Sequence, residues 1–199
     1  MRFLDRPLAI ATGMFFAGSL SGVGAMFAAP WMRALFLGLV QARMLSPLNF
    51  ALVKGGELAV FVLVFANNSA LVLLSFIYPF LIAAVHWVPE LSKRRRMILL
   101  SSFTIVTAFI AGFFGFGGIL ALEWIMNGHA GLLDLLAKAW LHGPIEIGAV
   151  LLSVSEPLRL ATCDAPAEIM VDLRKDLTML ACSLVGLMAA AGLEVYSLI

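Results

Sequence analysis

Long uncharged apolar runs constrain this chain more than any other feature. Residues 8–29 contain no charged side chain, and neither do residues 97–122. A helix of about 20 apolar residues crosses the roughly 30 Å hydrocarbon core of a bilayer. Because 62% of the 199 residues are hydrophobic and only 13% are charged, the chain has too few polar side chains to cover a soluble domain. We therefore predict a multi-pass integral protein of the cell membrane, in contact with the lipid bilayer.

The predicted fold is an all-α polytopic transmembrane bundle that forms a single membrane domain over residues 1–199. Five spans are expected, at about 8–29, 69–88, 97–122, 144–162 and 177–198. Residues 48–66 form either a re-entrant segment or a sixth span. Interfacial amphipathic helices are expected at 31–45 and 127–141. A cleaved signal peptide is the alternative for 8–29, but this run is longer than the usual apolar core of such a peptide.

The orientation follows from Lys93-Arg94-Arg95-Arg96, the densest basic cluster in the sequence. Basic loop residues favour the cytoplasmic side. In the five-span and the six-span arrangement alike, Asn67-Asn68 and the motif 142–146 then lie on the opposite side. Each is expected at the N-terminal end of a span that runs inward.

The motif His142-Gly143-Pro144-Ile145-Glu146 places ionisable groups at the start of an apolar segment. Proline suits the first helical position, so a helix is expected to begin at Pro144. His142 and Glu146 are four residues apart and would share a helix face. Glu146 would also lie in the first turn, where the helix dipole favours a carboxylate. Ionisable groups at membrane depth indicate function by default, although a mutually bonded pair that only fixes helix packing is the alternative.

The asparagine pair is expected to cap the span that starts at Ser69, and capping could be its only role. Asn68 and Ser75 would share one helix face, as would Glu146 and Ser153. We predict that these two faces meet around a small polar chamber.

Carboxylate, amide and imidazole groups in such a chamber would suit a hard divalent cation, namely magnesium, calcium or manganese. The candidate ligands are Glu146, His142, Asn67, Asn68 and Glu57. Glu123 is a weaker candidate, Glu194 is expected near the outer surface, and Glu156 with Arg159 is expected to form an interfacial ion pair. Around a homo-oligomer, a ring of Glu146 side chains could select cations.

Three short motifs resemble the stage II sporulation protein M family of membrane proteins. They are Asn67-Asn68 within the apolar run 65–76, Asn127-Gly128, and His142-Gly143-Pro144-Ile145-Glu146. The chain looks like a distant member, since Tyr78-Pro79-Phe80 replaces the glycine-rich continuation of the first motif. The resemblance implies a membrane protein without enzymatic activity that acts with membrane protein partners in an envelope-remodelling complex.

Two functions remain open at this stage. The first is a homo-oligomer that binds and conducts a small cation. The second is a non-catalytic scaffold of a membrane-remodelling complex. Enzymatic activity is not expected, because the sequence lacks HExxH, GxSxG and P-loop signatures. A net charge of +1 gives no basis for nucleic-acid binding.

Overall fold

The computed structural model describes residues 2–42, 55–85, 93–161 and 166–198, and these residues are almost entirely helical, without strands. The all-α prediction is confirmed. The α-helices are α1 (Arg2–Ala28), α2 (Pro30–Val40), α3 (Gly56–Val85), α4 (Lys93–Ile110), α5 (Gly118–Ala139), α6 (Gly143–Ala161) and α7 (Pro166–Leu198). A π-helical stretch, Ala111–Gly117, joins α4 to α5. Residues 43–45, 48–54, 86–88 and 162 of the expected segments lie outside the described residues.

Within the described residues, four helical stretches are long and apolar enough to cross a membrane. They are Arg6–Ala28, Gly56–Tyr78, Met97–Ala139 and Leu177–Tyr196. Gly128 interrupts the third stretch with φ +67° and ψ −162°, a backbone conformation that glycine adopts without a steric penalty. Helix α6 has 19 residues but contains three charged side chains, those of Glu146, Glu156 and Arg159.

The expected helix start at Asn67-Asn68 is wrong, because both residues lie in the interior of the continuous helix α3. A six-span arrangement that turns at this pair is therefore wrong as well. Asparagine favours caps because its amide competes for backbone hydrogen bonds. Here the Asn67 and Asn68 amides bond to side chains instead, so the α3 backbone continues through them.

Glycines bring α1 against the π-helical stretch at backbone distance. A Cβ added at Gly18, Gly22, Gly112 or Gly117 would overlap a backbone carbonyl oxygen across this contact, at Phe109, Phe113, Phe15 or Ser19 respectively, where Phe109 lies in the last turn of α4. The i→i+5 bonds of a π-helix bring residues five apart close to one face, which matches the spacing of Gly112 and Gly117. Gly18 and Gly22 therefore lie on a small-residue face of α1 of the kind that lets membrane helices pack closely, and the two segments run parallel.

Helix α6 lies at the centre of the bundle and contacts α1, α3, α4 and α7. Val72, Ala149 and Leu187 pack together, while Asn68 bonds to Glu146 and Ser153 to Ser183. These contacts make α3 parallel to α6, and α7 antiparallel to both. The beginning of α6 and the end of α7 therefore lie at one end of the bundle, which we call the His142 end.

Candidate metal centre

Helix α6 begins where the Pro144 motif predicts. The helix starts at Gly143, and the carbonyl oxygen of His142 accepts hydrogen bonds from the N–H groups of Ile145 and Glu146, each 3.0 Å long. Pro144 has no N–H, so the first turn has one donor fewer to satisfy. His142 thus ends the preceding turn directly beside the first turn of α6, and its ring lies close to the Glu146 carboxylate.

Three side chains converge at this position. One ligand atom from each of His142, Glu146 and Glu194 lies within 4.8 Å of the others, and all three residues are half-buried. We call this group the His142 cluster. Two oxygens bound by one metal ion at about 2.3 Å can be at most roughly 4.6 Å apart, so small side-chain rotations suffice for common coordination. The set of two carboxylates and one imidazole suits a divalent cation.

The asparagine pair supports this cluster from α3. The Asn68 side-chain amide donates a 2.5 Å hydrogen bond to Glu146 Oε1, and Asn67 donates to Asn68 Oδ1 at 3.2 Å. The predicted meeting of the Asn68 and Glu146 faces is therefore observed. In this arrangement Asn68 holds the carboxylate of the candidate ligand Glu146, a position typical of groups just outside a metal's coordination shell.

The electrostatics of the His142 cluster favour a positive charge at its centre. Two ionised carboxylates at this separation repel each other, and a cation between them removes the repulsion. The Nδ1 atom of His142 is buried and has no hydrogen-bond partner among the described residues. A neutral imidazole nitrogen can donate its lone pair to a metal ion.

Two other predicted carboxylates lie elsewhere. Glu57 is exposed in the first turn of α3, about 16 Å along the helix from Asn68 at 1.5 Å per residue. Glu123 accepts a 2.5 Å hydrogen bond from Asn127 of its own helix. Among the described residues, neither joins the His142 cluster.

Sequence reasoning did not name Glu194 as a candidate ligand, although Glu194 supplies the second carboxylate of the cluster. One signal was available. Glu194 is the only charged residue in the apolar stretch Leu177–Tyr196, and such residues usually face a protein interior. Its partner could not be read from the sequence, because 48 positions separate Glu194 from Glu146.

Comparisons with protein-family models, curated proteins and solved structures gave no match to this chain. The likeness to the stage II sporulation protein M family therefore stays a prediction based on its three motifs.

Proposed function

We propose that the chain is a multi-pass integral protein of the cell membrane that binds a divalent cation at the His142 cluster and conducts it as a homo-oligomer. The observation that carries this proposal is the convergence within 4.8 Å of three candidate ligand side chains, one from the turn before α6, one from α6 and one from α7. The hydrogen bond from Asn68 to Glu146 supports it, because it holds one carboxylate in place from a third helix.

The distribution of charged and aromatic residues supports a membrane orientation. Arg6, Arg94 and Arg95 are exposed near the helix ends opposite the His142 end. The positive-inside rule places that opposite end in the cytoplasm. Trp140 and Tyr196 are 77% and 82% exposed at the His142 end, where aromatic side chains suit the lipid headgroup region. The cluster would then open toward the non-cytoplasmic side.

The exposed apolar surface fits the same arrangement. Each of the four long apolar stretches has about a quarter of its residues buried inside the protein, and large hydrophobic side chains such as Leu20, Leu58 and Val185 are strongly exposed. Such a surface is unfavourable in water and favourable against lipid. Part of it could also hold a second copy of the chain.

The donor set guides the choice of ion. Carboxylate oxygens favour magnesium, calcium and manganese, and imidazole extends the range toward later transition metals. Manganese is compatible with both donor types. We therefore choose Mn²⁺ as the probe, with Mg²⁺ and Ca²⁺ as competitors.

The first test is Mn²⁺ titration of the detergent-solubilised protein, with free Mn²⁺ followed by electron paramagnetic resonance. We expect saturable binding in the wild type and at least a roughly tenfold loss of affinity in Glu146→Gln and Glu194→Gln, since each removes one charged ligand. The double variant Asn67→Ala/Asn68→Ala should weaken binding less. Glu57→Gln is the matched control, because its carboxylate lies outside the cluster.

Absence of saturable binding in the wild type would overturn the proposal, as would equal binding by all variants at unchanged helicity and oligomer size. A specific co-purifying membrane protein without any ion dependence would favour the scaffold function that the sporulation-family resemblance implies.

A further inference from the structure

Helix α6 carries polar and apolar side chains in a regular order along one face. Glu146, Ala149, Ser153 and Glu156 follow each other at spacings of three, four and three residues, which keeps them on one side of a helix. Ala149 and Ser153 contact α7, and Glu146 contacts α3. We call these four residues the α6 stripe. The stripe runs along the contact between α3, α6 and α7.

One turn beyond the His142 cluster, the three helices are sealed by apolar side chains. Val72, Ala149 and Leu187, one from each helix, pack together and are 0%, 6% and 0% exposed. We call these three residues the apolar layer. It is one helical turn thick, and it separates the cluster from the next part of the stripe.

A second group of polar side chains lies on the side of the apolar layer that faces away from the His142 cluster. Ser153 donates a 3.3 Å hydrogen bond to Ser183 of α7, and Ser75 of α3 is fully buried one turn beyond Val72. The expected ion pair between Glu156 and Arg159 is present, and Glu156 is only 4% exposed within the bundle. We call Ser153, Ser183 and Glu156 the serine layer.

The carboxylate of Glu156 is only partly satisfied. Its Oε2 atom accepts a 2.8 Å bond from Arg159 Nε, while Oε1 is buried without a hydrogen-bond partner among the described residues. An unpaired buried acceptor is unfavourable, and native proteins usually give such an atom a ligand or water. Glu156 follows Ser153 by three residues on the same face of α6, so this face presents a carboxylate and a hydroxyl, which are oxygen donors of the kind that hard cations bind.

We propose that each protomer contains its own ion path, in which the serine layer is a second cation site and the apolar layer is the barrier between the two sites. This inference rests on the proposed function, and it places the path inside one chain instead of on an oligomer axis. Seven residues of α6 separate Glu146 from Ser153, so the ion moves about 10 Å between sites. Hydrophobic constrictions of this kind block ions because water leaves them.

The test is Mn²⁺ entry into liposomes that contain the purified full chain, followed by quenching of an enclosed fluorophore. Leu187→Ser makes the barrier polar, and we expect entry to accelerate about ten- to a hundredfold. Met188→Ser is the matched control, since Met188 is the next residue of α7 but is 48% exposed. It should leave entry at the wild-type rate. Val72→Thr, which nearly preserves side-chain volume, provides a second barrier variant if Leu187→Ser does not fold.

The second site is tested by Glu156→Gln in the Leu187→Ser background. Mn²⁺ entry should fall toward the wild-type rate, while titration should still show binding at the His142 cluster. Wild-type entry rates in every folded barrier variant, or equal acceleration by Met188→Ser, would overturn the inference while Mn²⁺ binding at the cluster survived. Loss of binding in the wild type would overturn the proposed function instead, so the two failures are distinguishable.

Discussion

Asn68 links α3 to α6 through a single side-chain hydrogen bond to Glu146. Asn67 donates a hydrogen bond to Asn68, so it affects the Glu146 carboxylate only through Asn68. Replacing these two adjacent asparagines therefore leaves different groups without a hydrogen-bond donor. Loss of Asn68 leaves a half-buried carboxylate without its donor, whereas loss of Asn67 leaves only an amide oxygen unpaired.

We expect Asn68→Ala to lower stability more than Asn67→Ala does. Interhelical hydrogen bonds in membrane proteins contribute on average about 0.6 kcal/mol and at most roughly 1.7 kcal/mol. The Asn68 variant should fall in the upper part of that range. The measurement is thermal unfolding in detergent without divalent ions, and Asn67→Ala is the control. Equal effects of the two variants, or the reverse order, would contradict the assigned hydrogen bonds.

At the residue scale, the sequence predicted what depends on local spacing. His142 and Glu146 were placed together by their four-residue separation, and the contact between the Asn68 and Glu146 faces was also anticipated. Glu194 was not named as a candidate ligand and Glu57 was, because membership of the cluster depends on how separate helices align. Helix periodicity predicts which face of its own helix a side chain lies on. It does not predict which residues of another helix lie at the same height along the bundle.

At the element scale, the glycine contact between α1 and the π-helical stretch sets the tightest packing in the bundle. Gly112 faces the carbonyl oxygen of Phe15, whereas Gly115, three residues later in the same stretch, has no atom within 4 Å of an added Cβ. The two glycines therefore form a matched pair for measuring how much the close approach matters.

We expect Gly112→Ala to destabilise the protein by about 1–3 kcal/mol or more, because the added methyl group forces the two backbones apart. Gly115→Ala should be close to neutral, since the same methyl group meets open space. Thermal unfolding and size-exclusion profiles in detergent provide the comparison. A Gly112→Ala protein as stable as Gly115→Ala would show that α1 does not pack on the π-helical stretch at backbone distance.

The sequence predicted the elements better than their boundaries. The glycine-rich face of α1 and the start of α6 both follow from local chemistry, namely small side chains and a proline at the first turn. The continuity of α3 through Asn67-Asn68 does not follow from local chemistry. Asparagine has low helix propensity, and here tertiary hydrogen bonds outweigh that preference.

At the scale of the whole molecule, the helix directions place Arg94 and Lys138 at opposite ends. Arg94 is exposed just before the long apolar stretch Met97–Ala139, and Lys138 is exposed in the last turn of α5, at the far end of that stretch. In the orientation proposed above from the positive-inside rule, Arg94 is expected to face the cytoplasm. This arrangement requires one membrane crossing between the two residues.

We expect a membrane-impermeant maleimide to label Lys138→Cys on intact cells and Arg94→Cys only after permeabilisation. The background should carry Cys163→Ser and Cys182→Ser, and this parent provides the control for unspecific labelling. Labelling of both positions from the same side would contradict a single crossing between them. Labelling of Arg94→Cys alone on intact cells would reverse the proposed orientation.

The glycine contact also has a consequence for how the protein is made. About 90 residues separate Gly18 from Phe109, and a ribosome adds roughly 5 to 20 residues per second. Helix α1 therefore waits on the order of 5 to 20 s before its partner segment has been synthesised. During that interval its glycine face meets lipid or the insertion machinery. Pairing of α1 with the π-helical stretch consequently cannot begin until more than half of the 199 residues have been synthesised.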